Sequence, residues 1–103
     1  MRAESLKGHL DALILAVLAA GPRHGYAVIE ELKQRSGGEL ALPEGTVYPA
    51  LHRLEAAGLL TSAWSDGGRR RRVYELTRRG TRDLGERRTE WRDFSRAIEA
   101  VLA

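Results

Sequence analysis

A mainly α (α+β) domain of three short helices, a two-stranded β-hairpin and one long terminal helix is predicted by three features of this sequence. Apolar residues recur at helical spacing in successive segments between Leu10 and Ala57. Alternation on either side of Asp66-Gly67-Gly68 then interrupts that period. After Thr77 the helical period returns and continues to about Leu102.

Each element has its own warrant. Leu10, Leu13, Ile14, Val17 and Leu18 stand at i, i+3, i+4, i+7 and i+8, one broad apolar face of a first helix that Gly21-Pro22 stops. A second helix is expected from about His24 to Gln34, burying Ala27, Val28, Ile29 and Leu32 in part, with Ser36-Gly37-Gly38 at its end. The third covers roughly Gly45 to Ala57, points Val47, Ala50, Leu51 and Leu54 inward and ends at Gly58. Pro49 fits inside it only if the helix starts near Glu44 to Thr46, so that the missing N–H falls in or next to the unpaired first turn. From Leu60 to Ser65, Leu60, Ser62 and Trp64 share one side of a strand; Arg70 to Leu76 forms the return strand, with Tyr74 and Leu76 on one face. Thr77 is a good N-cap for the last helix. Its roughly 25 residues span roughly 37 Å, more than a domain this small covers by itself. The order is that of a winged helix-turn-helix, residues 1–76, with residues 77–103 an appended helix of the same compact unit.

Composition narrows the function. A chain of 103 residues has one core, and 43% hydrophobic with 30% charged residues reads as globular. The absence of cysteine excludes a disulfide framework, an Fe–S cluster and thiolate zinc, and suits a reducing compartment. The longest apolar run, Leu10 to Ala20, contains Asp11 and is too short to span a bilayer, so no membrane partner and a cytoplasmic location are expected. Between Arg69 and Arg92 stand ten Arg against four acids; that segment carries +6 and leaves −3 to the rest of a +3 chain. Such a block is the footprint of a polyanion-binding surface or a solvated helix face.

The third helix presents Thr46, Pro49 and Arg53 outward, with His52 on one flank and Tyr48 on the boundary. That face suits the major groove of DNA, although an ordinary surface helix has the same pattern. Of Arg69, Arg70, Arg71 and Arg72 beside the turn, alternation lets two or three meet one DNA surface, where Arg can enter the minor groove. Cationic protection of an exposed strand edge is the plainer reading of the same residues. In the last helix Leu84, Trp91 and Ile98 stand seven apart, with Phe94 and Val101 three after the last two and Arg87 interrupting. A seam of this kind on a protruding helix needs a partner, and the economical one is a second copy of the chain.

Taken together, His24-Gly25-Tyr26 after Gly21-Pro22, the run LPEGTVYPALHRLEAAGLL, a Gly-Arg-rich turn and VYELTRRG resemble the PadR family of winged-helix regulators over about residues 8–102. The resemblance implies a transcriptional repressor that binds a pseudo-palindromic operator in double-stranded DNA as a homodimer through its C-terminal helix. It implies that Tyr26, Thr46, Tyr48, Pro49, His52 and Arg53 lie at or near DNA. It also implies a small hydrophobic or aromatic effector, because multidrug-responsive relatives line a ligand cavity with a Trp that Trp91 resembles; otherwise Trp91 is the largest residue of a dimer core. The chain departs from the family pattern at His52, where Lys is more common, and at Val73, where a second aromatic is.

Two other classes fit less well. For an enzyme, His9, His24 and His52 would have to serve from three different helices, with no nucleophile constellation, phosphate loop, metal-ligand spacing or cofactor motif in view. A winged-helix protein-interaction module without DNA binding is suggested by Glu30, Glu31, Glu39, Glu44 and Glu55, of which Glu44 would sit near phosphate or act as a helix cap.

Overall fold

The computed structural model describes residues 6, 8–66, 68 and 70–103. Gly67 of the expected turn and Arg69, an expected DNA contact, lie outside the described residues. Among the described residues the order is α1 (Leu10–Leu18), β1 (Arg23–His24), α2 (Gly25–Arg35), α3 (Glu44–Ala56), β2 (Leu60–Trp64), β3 (Arg72–Leu76) and α4 (Arg78–Leu102).

The apolar periodicities meet in one core. Val47, Ala50, Leu51 and Leu54 of α3 are all buried, as their spacing predicts, against Val28 and Leu32 of α2 and Ile14 and Leu18 of α1. α1 is enclosed more fully than a one-faced helix, since Leu15 is buried too and α2, α3 and α4 all pack on it. Gly58, at φ +81°, closes α3 in a left-handed turn. There the Leu59 N–H donates to the Leu54 carbonyl at 3.0 Å and the Gly58 N–H to that of Glu55 at 3.0 Å, which satisfies two end carbonyls.

The sheet has three strands, in the order β1-β3-β2, where a two-stranded hairpin was expected. The register of β2 with β3 pairs Leu60 with Leu76, Ser62 with Tyr74 and Trp64 with Arg72, which keeps the predicted faces. On the other edge of β3, Arg23 pairs with Tyr74 and His24 with Val73. A two-residue strand has no periodicity, and it forms because the chain leaving Gly21-Pro22 runs beside an unpaired strand edge. His24 accordingly caps α2 instead of opening it.

Thr77 joins the wing to α4 as predicted, with its Oγ1 accepting from the Gly80 N–H at 3.0 Å. The same hydroxyl donates to the Gly58 carbonyl at 2.7 Å, and the Thr77 N–H donates to Leu59 O at 3.1 Å. Leu84 corrects the seam: it is 2% exposed and belongs to the core of its own protomer, because the first two turns of α4 still lie against α1 and β3. Only beyond Trp91, which still touches His9, does the helix leave the domain, and the 53 Å long axis of the chain reflects that departure.

Gly80 sits where no side chain fits, since a Cβ there would lie 2.0 Å from the Leu59 carbonyl oxygen. Gly80→Ala is therefore expected to cost about 3 kcal/mol or more through forced overpacking. Gly85, with open space around its Cβ position, should instead gain about 0.5–1 kcal/mol on replacement by Ala. Urea unfolding of the two variants checks the contrast, and equal effects of the same sign would contradict it.

Candidate nucleic-acid interface

Two helix N-termini meet beneath the wing. Around α3 the Pro43 carbonyl accepts from the N–H groups of Thr46 and Val47 at 3.0 and 3.2 Å. No side chain caps this helix, so Glu44 is no hydrogen-bonding cap; it stands in the first turn, where the helix dipole favours a carboxylate. Pro49 removes the i+4 donor from the carbonyl of Gly45, an exposed residue that water can reach. At α2, His24 Nδ1 accepts from the Ala27 N–H at 3.2 Å. Gly25 lets the two ends touch, because a Cβ there would fall 2.6 Å from the Tyr48 ring.

The wing forms the facing wall. Its base is closed by the Ser65 N–H donating to the Arg71 carbonyl at 2.7 Å and the Arg71 N–H donating to Ser65 Oγ at 3.1 Å. Trp64, 51% exposed, has the guanidinium groups of Arg70 and Arg72 over its ring, 4.9 and 5.3 Å from the centroid. Arg72 is anchored further: its Nε donates to Ser62 Oγ at 2.8 Å, and that hydroxyl donates to Glu55 Oε2 of α3 at 2.6 Å. Between wing and helix ends lies a groove of about 520 Å³, lined by His24, Gly25, Tyr26, Glu44, Tyr48, Trp64 and Arg70 to Arg72. Three cations against one carboxylate make it anion-attracting.

Of the residues singled out in the sequence, the groove brings together Tyr26, Tyr48, Arg70 and Arg71. Pro49 and His52 are exposed and Thr46 is half-buried, on α3 outside the groove. Arg53 is exposed too, but both its terminal nitrogens donate to Asp11 Oδ1, at 2.9 and 3.1 Å. His24 and Trp64 are groove residues that the sequence did not mark as DNA contacts, and Arg72, one of the four wing arginines, joins them. The shared face of Ser62 and Trp64 was the available signal for Trp64, whereas His24 needed β1 and α2 to be placed first. Two of the five acids noted in the sequence are engaged with other side chains: Glu31 with Arg35 at 2.8 Å and Arg23 at 3.7 Å, and Glu55 with Ser62 at 2.6 Å. Among the described residues no three His, Asp or Glu side chains gather as a metal site requires, and no helix is long and apolar enough to cross a membrane.

His24 also meets Arg71, whose Nη1 lies 2.8 Å from its Nε2. A neutral ring carries one proton and cannot accept at both nitrogens, so the helix cap and the Arg71 hydrogen bond are alternatives. Burial first, and then the charge of Arg71, hold the pKa of His24 below its ordinary 6.5. A folded-state value below the unfolded one means that the native protein binds the proton more weakly. The stabilisation is then complete above the unfolded value and is lost as pH falls below it towards the folded one. Thermal unfolding between about pH 7.5 and 5.5 should show a falling midpoint in the wild type and a flatter profile in His24→Asn, which caps without titrating. Parallel profiles would remove His24 as the source.

Known proteins extend the same picture. The sequence description of the transcriptional regulator PadR-like family matches residues 14–86. A transcriptional regulator of Mycobacterium tuberculosis is 40% identical over 76 residues, covering 73% of this chain and 68% of the relative. A Lysinibacillus sphaericus protein is 30% identical over 105 residues, covering 99% and 95% respectively. Among solved structures, a PadR family transcription regulator from Clostridium difficile superposes with a TM-score of 0.84 at 33% identity, covering 93% of this chain and all of its own. With a helix-and-wing groove built for an anion and a family match over most of its length, the chain belongs to the PadR-like family and is a DNA-binding transcriptional regulator, not an enzyme.

Proposed function

We propose that the protein is a repressor that binds a pseudo-palindromic operator as a homodimer, assembled along residues 77–103. The observation that carries this reading is the stripe of Trp91, Phe94, Ile98 and Val101 on α4, with Leu102 beside it, all exposed to solvent. An apolar stripe of that length on a helix that has left its domain calls for cover. A second copy supplies an identical stripe, and the two-fold axis so created presents two copies of α3 to two half-sites.

DNA then lies against the outer face of α3, with Thr46, Pro49 and His52 towards the bases and Tyr26, Tyr48, Arg70 and Arg71 along the backbone. Arg69, next to Arg70 in sequence, is counted with these backbone contacts. Helix N-termini under the groove add backbone amides that favour phosphate. Repression follows if the occupied operator overlaps a promoter. Relief belongs to the dimer seam: Trp91 packs edge-on against His9, ring centroids 5.0 Å apart, and lies 6.1 Å from Phe94. A small hydrophobic or aromatic effector inserted between the paired Trp91 rings would alter how the two reading helices are spaced.

Fluorescence anisotropy with a labelled duplex from upstream of its own gene tests DNA binding, and sedimentation tests assembly. Trp91→Asp should yield a monomer whose affinity for that duplex falls by at least about tenfold, having lost one half-site. A Trp91→Asp protein that remains dimeric would remove the seam from the reading. Arg70→Ala should weaken binding on any duplex and reduce the slope of log affinity against log salt by about one per subunit. An unchanged slope would take Arg70 off the phosphates.

A further inference from the structure

The ion pair that holds Arg53 points to a role the sequence did not suggest. Asp11 Oδ1 accepts from both terminal nitrogens of Arg53, while its Oδ2 lies 4.0 Å from Arg87 Nη2 of α4. Arg87 in turn donates through Nε to Asp83, one turn back on the same helix. One carboxylate on α1 therefore joins the last turn of α3 to α4, one turn before α4 departs from the domain. The adjacent residue pair His9 and Trp91 ties the same end of α1 to the first residue of the exposed stripe.

We propose that Asp11 is a positioning residue for DNA reading: through Arg53 and Arg87 it sets the angle of α3 relative to α4, and hence the spacing of the two reading helices in the dimer. The inference rests on the dimeric DNA-binding reading above. Arg53, the outward residue best suited by type to a guanine, serves in this role as a strut and does not touch DNA.

Three observations favour the strut over a DNA contact. Arg53 and Arg87 are matched by Asp11 and Asp83, so the cluster has no net charge and adds little to the field that draws in phosphate. Arg53 stands in the last turn of α3 and takes no part in the groove. It lies seven residues, about 10 Å along the axis, from Thr46 near the groove end. A base or phosphate would have to displace two charge-assisted hydrogen bonds and leave the Asp11 carboxylate facing DNA. The Arg53 side chain is 57% exposed, so the pair contributes little to stability. What a pair of this kind supplies is direction.

The experiment uses the full chain, with Asp11→Asn, Arg53→Gln and the double substitution, in anisotropy titrations over a salt series. The probes are a duplex from upstream of its own gene and the same duplex with one base pair inserted at its two-fold centre. The wild type should discriminate between the two. Each single variant should bind the first duplex about two- to fivefold more weakly, the double variant no more weakly than either. The salt slope should stay constant, and the penalty for the inserted base pair should shrink. A general loss of stability would leave that spacing penalty unchanged, so an unchanged penalty overturns the proposal. So does tighter or equal binding by Asp11→Asn, or a fall in slope of about one per subunit for Arg53→Gln, which marks a phosphate contact. Arg53→Lys keeps the charge without the fork and takes the place of Arg53→Gln if that variant does not fold. A wild type that binds neither duplex sinks the DNA-binding reading itself, a different failure from the ones above.

Discussion

The contact between Gly80 and the Leu59 carbonyl governs the arrangement of everything that follows the wing. Leu59 is the residue at which the chain turns from α3 into β2, and its carbonyl also accepts the Thr77 N–H. Thr77 completes the joint by donating to Gly58 and capping α4 with the same hydroxyl. The end of α3, the start of the wing and the start of α4 thus meet in one small set of hydrogen bonds. A side chain at residue 80 would push α4 away from that point. Since α4 carries the exposed stripe, a shift of its first turn is magnified along its 25 residues.

Electrostatics then sorts the arginines into two kinds. Arg53, Arg72 and Arg87 are tied to carboxylates or to a hydroxyl that itself serves a carboxylate, and act as internal braces. Arg70 has the Trp64 ring face as its contact and keeps its donors open to an anion, while Arg71 faces the capping imidazole of His24. A count of basic residues cannot separate these kinds, because Asp11 and Glu55, which bind the braces, lie far off in sequence or on another element, and only Asp83 stands one turn from its arginine. The same sorting applies to three acids of the chain. Glu31, Glu55 and Asp11 hold the helices and wing in register and leave little of their charge for a protein partner.

What was legible in the sequence followed from short-range rules. The buried face of α3, the Gly58 stop, the Thr77 cap and the shared side of Leu60, Ser62 and Trp64 each depend on residues within a few positions of one another, where period and turn chemistry act. What was not legible depends on long-range placement. β1 exists only as the neighbour of β3, and Gly80 is special only because Leu59 passes over it. Leu84 kept heptad spacing with Trp91 and Ile98, yet spacing does not say where a helix stops packing on its own domain and starts to await another. The Asp11–Arg53 pair closes a separation of 42 residues. Arg53 therefore read as a free outward cation.

That last misreading has a general physical root. Outward direction on a helix is a statement about the Cβ, and a long side chain can turn back from there to a neighbouring element. For short residues such as Thr46 or the ring of Pro49, direction and destination coincide, so helical angle alone places them. For Arg they separate by the length of the stem, and the nearest carboxylate decides. In this fold α1 offers that carboxylate because it lies between α3 and α4 and packs on both. The first helix is thereby the element through which α3 and α4 are joined.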